Sequence, residues 1–148
     1  MGYKYHLARF EKMLVEKEKI EPHLWEKCAE DLGLKIEKGA FGIGDTSYDQ
    51  MFYFSETESK WISTLVYSVE EGYGDTKVGS IPVLQKIGKY LNAFVYGDDL
   101  EVYCIPEHGA VNGEIYLADL YYNLQAFNGN WSDFLENTKE KIANKNSK

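Results

Sequence analysis

From residue 39 onward, short segments rich in aromatic and β-branched residues alternate with turns rich in Gly and Asp. Residues 48–54 and 61–69 have the composition of β-strands, and residues 100–105 and 114–120 follow the same pattern. Strands of this length need partners to bury their apolar faces. The pattern therefore predicts that a sheet of paired strands makes up much of the chain.

Turn signals mark three stretches near these segments. Ser55 followed three residues later by Glu58 is a capping box that could begin a helix. The residues that follow, 61–69, are dense in β-branched and aromatic side chains, so we favour a hairpin turn and a strand. Residues 38–45 contain three Gly and predict either a loop or a weak strand, and the Asn-Gly pair at 112–113 predicts a hairpin turn.

Helical periodicity identifies four further segments. Apolar residues at spacings of three and four predict an amphipathic helix over residues 3–17. A second helix over residues 22–32 begins with Pro and ends before Gly33, a third covers residues 82–96, and a last covers residues 128–142. The order of elements predicts an α+β fold, a mostly antiparallel sheet packed with N-terminal, central and C-terminal helices.

The size and composition of the chain are those of one globular domain. It has 148 residues, of which 44% are hydrophobic and 27% charged. We predict a single domain over residues 1–148 with a frayed tail at 145–148. No signal peptide is visible and no apolar run approaches the ~20 residues of a membrane span, so we expect a cytoplasmic protein. The Lys to Arg ratio of 15 to 1 favours a bacterial source with an AT-rich genome.

Acidic residues and tyrosines concentrate in residues 39–134. This segment holds fourteen Asp or Glu against four Lys, a net charge of −10 within a chain of net charge −8, and ten of the twelve Tyr. Such a charge opposes binding to nucleic-acid phosphates and favours a basic protein partner, although solubility alone would also explain it.

A tyrosine-rich acidic surface suits protein recognition, because Tyr offers a large contact area at low entropic cost and its ring attracts cations. The alternative is cross-strand pairing of the tyrosines that only stabilises the sheet. We predict that a partner binds at residues in and beside the turns. They are Asp45, Tyr48, Asp49, Glu70, Glu71, Tyr73, Asp75, Asp98 and Asp99.

Residues that could support catalysis or bind a metal form no complete motif. Cys104 and His108 have C-x3-H spacing, but no second pair completes a zinc site, so we expect neither a metal nor a cofactor. The same two residues are the best candidates for the enzyme alternative, a small hydrolase or transferase. His6 and His23 are predicted to lie on exposed helix surfaces.

Four short pieces follow one another in an order known from one family. They are the helix ending at Leu32-Gly33, the turn Ile43-Gly44-Asp45, the aromatic strand Met51-Phe52-Tyr53-Phe54 and the closing helix Trp131-Ser132-Asp133-Phe134-Leu135. In this order the chain resembles the Smi1/Knr4 (SUKH) superfamily, many of whose members are immunity proteins against bacterial toxins. It departs from the family in lacking Leu-Pro-x-x-Tyr after Gly33 and in having the helix at 82–96. The resemblance implies a toxin-binding role and assigns no residue.

Together these observations favour a non-catalytic protein that binds and neutralises a basic toxin or nuclease. Two alternatives remain open from the sequence. One is the small enzyme, and the other is a carrier of a small ligand with aromatic side chains lining a pocket between sheet and helices.

Overall fold

The structure, a computed structural model, describes residues 3–12, 16–43, 46–76, 80–123, 133–134 and 136–137. Within these residues the chain forms nine strands and three helices. The strands are β1 (Tyr5–Lys12), β2 (Glu16–Glu18), β3 (Lys35–Ile43), β4 (Thr46–Ser55), β5 (Lys60–Ser68), β6 (Gly74–Thr76), β7 (Phe94–Gly97), β8 (Glu101–Ile105) and β9 (Gly109–Tyr116). The helices are α1 (Pro22–Leu32), α2 (Ile81–Leu91) and α3 (Leu117–Asn123).

All the described strands belong to one sheet in the order β3-β4-β5-β6-β1-β7-β8-β9, and β2 pairs with β1. Each pairing between them is antiparallel. This confirms the predicted α+β class with a mostly antiparallel sheet. Strand β1 lies between two groups of strands, β3 to β6 on one side and β7 to β9 on the other.

The predicted helix over residues 3–17 is wrong, because residues 5–12 form strand β1 and residues 16–18 form β2. Leu7 belongs to the core on one face of the sheet and Ala8 to the core on the opposite face. A strand buried on both faces carries apolar residues without strict alternation. Apolar residues three and four positions apart can then occur by coincidence, and in this segment they produced a helical pattern.

Helices α1 and α2 pack on the same face of the sheet and cover the first core. Trp25 of α1 stacks on Tyr67 of β5, with ring centroids 4.4 Å apart and planes inclined by 3°. The indole N–H of Trp25 donates to the carbonyl oxygen of Ile20 at 3.2 Å, which satisfies its polar atom inside the core. The fully buried side chains around this stack are Leu7, Ile20, Met51, Leu65, Leu84, Ile87 and Leu91.

The opposite face of the sheet carries a second core over β1, β7, β8 and β9. Its buried members include residues of α3 and one residue from the described part of the C-terminal region. They are Ala8, Phe94, Tyr96, Val102, Ile105, Ile115, Leu117, Leu120 and Phe134. Both faces of this half of the sheet are therefore buried.

Helix α1 ends as predicted at Gly33, which adopts a left-handed conformation with φ 69°. Helix α2 begins after Ser80, whose hydroxyl accepts from the backbone N–H of Val83. It ends at Asn92, also left-handed, and not at Gly97 as predicted. Asn tolerates this conformation and acts as the stop, which frees the following residues for β7.

The structure settles the three stretches marked by turn signals. Residues 60–68 form strand β5, as favoured, and the Ser55 hydroxyl accepts from the Glu58 N–H within a turn instead of capping a helix. The glycine-rich residues 35–43 form β3. The Asn-Gly pair at 112–113 does not form a hairpin turn, because it lies inside β9.

Two further boundaries were predicted wrongly or only in part. Residues 117–120 begin helix α3 and do not continue the strand predicted over 114–120. Of the helix predicted over 128–142, residues 133–134 and 136–137 are helical, and the others lie outside the described residues.

Gly72 and Gly33 give a matched test of packing in this fold. Both have positive φ, 78° and 69°, but a Cβ on Gly72 would lie 2.4 Å from the Ile20 backbone nitrogen, whereas a Cβ on Gly33 would meet nothing within 4 Å. Gly33→Ala should cost about 1 kcal/mol of unfolding free energy from the left-handed conformation alone. Gly72→Ala should cost about 3 kcal/mol, because a backbone clash is added. Chemical denaturation of both variants measures this, and equal costs would contradict the predicted contact.

Candidate partner-binding surface

One cross-strand row orients the strands around β1. Val66 lies opposite Asp75, Asp75 opposite His6, and His6 opposite Tyr96. Paired residues in an antiparallel sheet share a face, so these four side chains lie on the face that carries the second core. Strands β5 and β1 run toward this row from one end of the sheet, while β6 and β7 run from the row toward that same end.

Several strand termini therefore lie at that end of the sheet. They include the β4–β5 turn, the start of β1, the β7–β8 turn and the end of β9, where Tyr116 lies opposite Glu101. We call this region the aromatic–acidic end. It comprises Tyr3, Phe54, Glu56, Glu58, Trp61, Asp75, Asp98, Asp99, Leu100, Glu101 and Tyr116.

Large apolar side chains are exposed at this end. Among the described residues six large apolar side chains are exposed, and five of them belong to the aromatic–acidic end. Their exposed fractions run from 38% to 46%, and the sixth, Tyr90 at 36%, lies on helix α2. Phe54 and Trp61 face each other across the β4–β5 hairpin, with ring centroids 5.4 Å apart and an edge-to-face angle of 74°. These two rings protrude as a pair.

Exposed carboxylates lie in the two turns at this end. Asp98 and Asp99 are exposed in the turn between β7 and β8, and Glu56 and Glu58 are exposed in the turn between β4 and β5. Asp98 accepts from the backbone N–H of Lys4 at 2.8 Å. A hydrogen bond from His6 and this backbone contact lower the pKa of Asp98 below its usual value, so it is ionised at neutral pH.

A tyrosine pair fixes the Glu101 carboxylate. The hydroxyl of Tyr3 donates to it, and Tyr103 donates to its Oε2 at 2.9 Å. The carboxylate packs directly on Gly97, where a Cβ would lie 2.5 Å from both carboxylate oxygens. Desolvation and the bond to Glu101 raise the pKa of Tyr3 to about 12, so its hydroxyl stays protonated and keeps this bond.

His6 lies between two carboxylates at the edge of this surface. Its Nδ1 is 2.5 Å from Asp75 Oδ1 and its Nε2 is 2.7 Å from Asp98 Oδ1. The ring stacks on Tyr96 with centroids 5.1 Å apart. The hydrogen bond with Asp75 raises the pKa of His6, and the contact with Asp98 adds to it. The prediction that His6 lies exposed on a helix is wrong, because it is on β1 with 22% of its side chain exposed.

The structure brings together three of the predicted binding residues, Asp75, Asp98 and Asp99. The other described ones lie elsewhere. Tyr48, Glu70, Glu71 and Tyr73 are near the opposite end of β5, where Glu70 accepts from the Ser47 N–H at 3.0 Å and the Lys17 ammonium lies 3.8 Å from the centre of the Tyr73 ring. Asp45 lies outside the described residues.

Asp49 is buried, so the structure does not present it to a partner. Its carboxylate accepts from the hydroxyl of Tyr67 at 3.0 Å and from the backbone N–H of Gly39 at 2.8 Å. The hydrogen bond from Gly39 holds β3 against β4 at the place where the register between the two strands shifts. We therefore assign Asp49 a structural role.

Reasoning from the sequence missed the exposed apolar residues of this end. Phe54 and Trp61 flank the observed turn at 56–59 symmetrically, close to the predicted turn, and this spacing was a usable signal for an exposed cross-strand pair. Tyr3 and Tyr116 gave no such signal, because their exposure follows from where β1 and β9 lie in the sheet.

The enzyme alternative loses its best candidates. Cys104 is fully buried beneath α2, and burial raises the pKa of its thiol to about 12. His108 is exposed in the turn after β8. A buried neutral thiol is a poor nucleophile, so this pair does not form a catalytic dyad. In the described ranges, no group of three or more His, Cys, Asp or Glu could hold a metal ion.

A scan against models of protein families, a search of curated proteins and a search of solved structures each found no match to this chain. The resemblance to the Smi1/Knr4 superfamily stays a prediction. Across the part of the chain that the structure describes, none of the helices is both long and apolar enough to cross a bilayer.

The burial of both cysteines has a direct chemical test. Cys28 and Cys104 are fully buried, and burial raises each thiol pKa to about 12. We expect neither to react with iodoacetamide at pH 8 in the native protein, and both to react in guanidinium chloride, as mass spectrometry would show. Rapid native labelling of Cys104 would contradict its burial and reopen the enzyme alternative.

Proposed function

We propose that this chain is a non-catalytic acidic domain that binds a basic protein, and that it serves as an immunity or inhibitor protein against a toxin or nuclease. One observation carries the proposal. Five exposed large apolar side chains and several exposed carboxylates lie at this one end of the sheet, Phe54 and Trp61 on the β4–β5 hairpin and the other three beside the β7–β8 turn. Clustered exposed apolar residues rimmed by polar ones mark interaction surfaces.

The composition of this end matches the anatomy of a protein interface. Aromatic side chains supply much of the buried contact area and of the binding energy at protein interfaces, and Trp61 and Tyr116 are of this kind. Carboxylates around them complement Lys and Arg, and the ring faces attract the same cations. A partner with Lys or Arg around an apolar depression would satisfy both features.

Leu100 adds a second line of support. It is 38% exposed and adopts a left-handed backbone conformation with φ 67°, which costs a non-Gly residue about 1–2 kcal/mol. Its N–H donates to the Gly97 carbonyl within the β7–β8 turn, where Gly or Asn would fit without strain. Strain held at an exposed apolar residue is typical of functional surfaces.

A toxin or nuclease fits because its own chemistry requires positive charge. An enzyme that cleaves nucleic acid presents Lys and Arg to phosphates, and an acidic surface aimed at them associates rapidly. The resemblance to the Smi1/Knr4 superfamily points to the same class of partner. We expect binding in the cytoplasm, and the sheet with its N-terminal, central and C-terminal helices would act as a rigid support.

Charge-matched variants test this proposal. The partner would be captured from source-cell extract on the wild-type chain, identified, produced separately and measured by biolayer interferometry. Glu56→Gln with Asp99→Asn should lower the association rate about threefold to tenfold, because both charges lie at the aromatic–acidic end. Glu70→Gln with Glu71→Gln removes the same charge from the opposite end and should have the smaller effect.

Salt and growth provide the deciding outcomes. Raising NaCl from 50 to 300 mM should slow association with the purified partner about tenfold or more, since steering by exposed charges is screened. Co-expression should restore growth to cells that produce the partner. A salt-independent association, or an acidic partner with no toxicity, would contradict the proposal.

Leu100→Asn separates binding from stability. Asn relieves the left-handed strain, so the free energy of unfolding should be kept or raised by up to about 1 kcal/mol. Loss of the apolar side chain should weaken binding to the purified partner about fivefold or more. Tyr90→Ala, which truncates an exposed ring on α2, is the control for binding. Binding unchanged by Leu100→Asn, or weakened equally by Tyr90→Ala, would argue against this surface.

A further inference from the structure

Among the described residues, His6 is the one imidazole that contacts the aromatic–acidic end, and both of its ring nitrogens face carboxylates of that end. Its Nδ1 contacts the carboxylate of Asp75 on β6, and its Nε2 contacts the carboxylate of Asp98 in the β7–β8 turn. The three residues are far apart in the chain, and β1 brings them together by pairing with β6 and β7 at the same position.

The donor inventory of imidazole determines the protonation state of this cluster. An ionised carboxylate only accepts hydrogen bonds, and a neutral imidazole has only one N–H to donate. Both contacts of His6 are satisfied only when the ring carries a proton on each nitrogen. If one proton leaves for solvent, one nitrogen lone pair faces a carboxylate lone pair, and that contact must open.

We propose that His6 regulates the aromatic–acidic end, occupying Asp75 and Asp98 while doubly protonated and releasing Asp98 to bind a cationic side chain of the partner when one proton is lost. This inference rests on the proposed function, because it concerns the same surface. Asp98 is the carboxylate expected to part, since it lies in a turn and its contact with His6 is the longer one, 2.7 Å against 2.5 Å for Asp75, which is held in strand β6.

The groups around His6 determine the direction of the effect. His6 faces Asp75 on β6, Asp98 in the turn after β7, and Tyr96 on β7. Burial and the nearby charge of Asp75 raise the pKa of Tyr96 to about 12, so the phenol stays neutral. Immediately before β1, Lys4 contacts Asp98 through its backbone N–H. Acids therefore dominate this environment, and loss of the His6 proton makes the end more negative.

The stability linkage has a defined sign. The folded pKa of His6 is raised above its ordinary value of 6.5, so its contribution to stability is complete below pH 6.5 and is lost as pH rises through the folded pKa. Partner binding should change in the opposite direction, because a cationic surface is attracted more strongly once the internal cation is gone.

Two measurements test this proposal with the full-length chain. The first is the NMR pH titration of the His6 ring carbons, assigned by their absence in His6→Gln, and a midpoint above 6.5 is expected. The second is the affinity for a hexa-arginine peptide between pH 6 and pH 9 at constant ionic strength. Wild type should bind about threefold to tenfold more tightly at pH 9, whereas His6→Gln should bind with a smaller pH dependence.

The outcomes separate this proposal from the proposed function. A His6 midpoint at or below 6.5, or equal pH dependence in wild type and His6→Gln, would overturn the proton control even if a basic partner still binds. If His6 titrates as expected but the Glu56, Asp99 and Leu100 variants bind the purified partner as wild type does, the proposed function fails. The hydrogen-bonded contact of protonated His6 would still stand.

Asp75→Asn provides a second variant in case His6→Gln does not fold. It keeps the shape and one acceptor at that position but removes a negative charge beside His6. The His6 midpoint should fall in Asp75→Asn, and the increase in hexa-arginine affinity should begin at lower pH. An unchanged midpoint would contradict the geometry on which the proposal depends.

Discussion

The pairing of β1 with strands on both of its sides is the constraint that unites this molecule. In the described part of the sheet, β6 and β7 do not pair with each other, and Tyr5–Ala8 of β1 joins them by pairing with both. Leu7 and Ala8 then enter cores on opposite faces. The aromatic–acidic end exists because this strand aligns the β4–β5 and β7–β8 turns, and the same alignment places His6 between its two carboxylates.

Local patterns predicted the elements whose structure is decided locally. Helix α1 has Pro at its start and Gly33 at its end, and the strand at 60–68 has the β-branched and aromatic composition expected of one. The sequence could not reveal that β1 is central, since burial on both faces erases the alternation that identifies a strand. It also did not show that Asn92 would end α2 before Gly97, because either residue can adopt the left-handed conformation that stops a helix.

The candidate surface was predictable only in part for the same reason. Asp98 and Asp99 stand in a turn that the sequence marks clearly, so their exposure followed. Asp49 belongs to a strand, and its buried carboxylate is satisfied by hydrogen bonds from Tyr67 and Gly39 on the two neighbouring strands. Residues such as Tyr116 and His6 acquire their positions from register, which no short pattern in one sequence specifies.

The central position of β1 also has a consequence for synthesis. Tyr5 pairs with Thr76 and with Gly97, so β1 leaves the ribosome long before either partner exists. At 5–20 residues per second, the delay before β7 is available is about 5–20 s. Until β6 is made, Leu7 has no neighbouring sheet strand to pair with, and until β7 is made, neither does Ala8. The nascent chain therefore carries a strand that lacks its central partners and that chaperones can bind, and the aromatic–acidic end is completed only when the β7–β8 turn has been made.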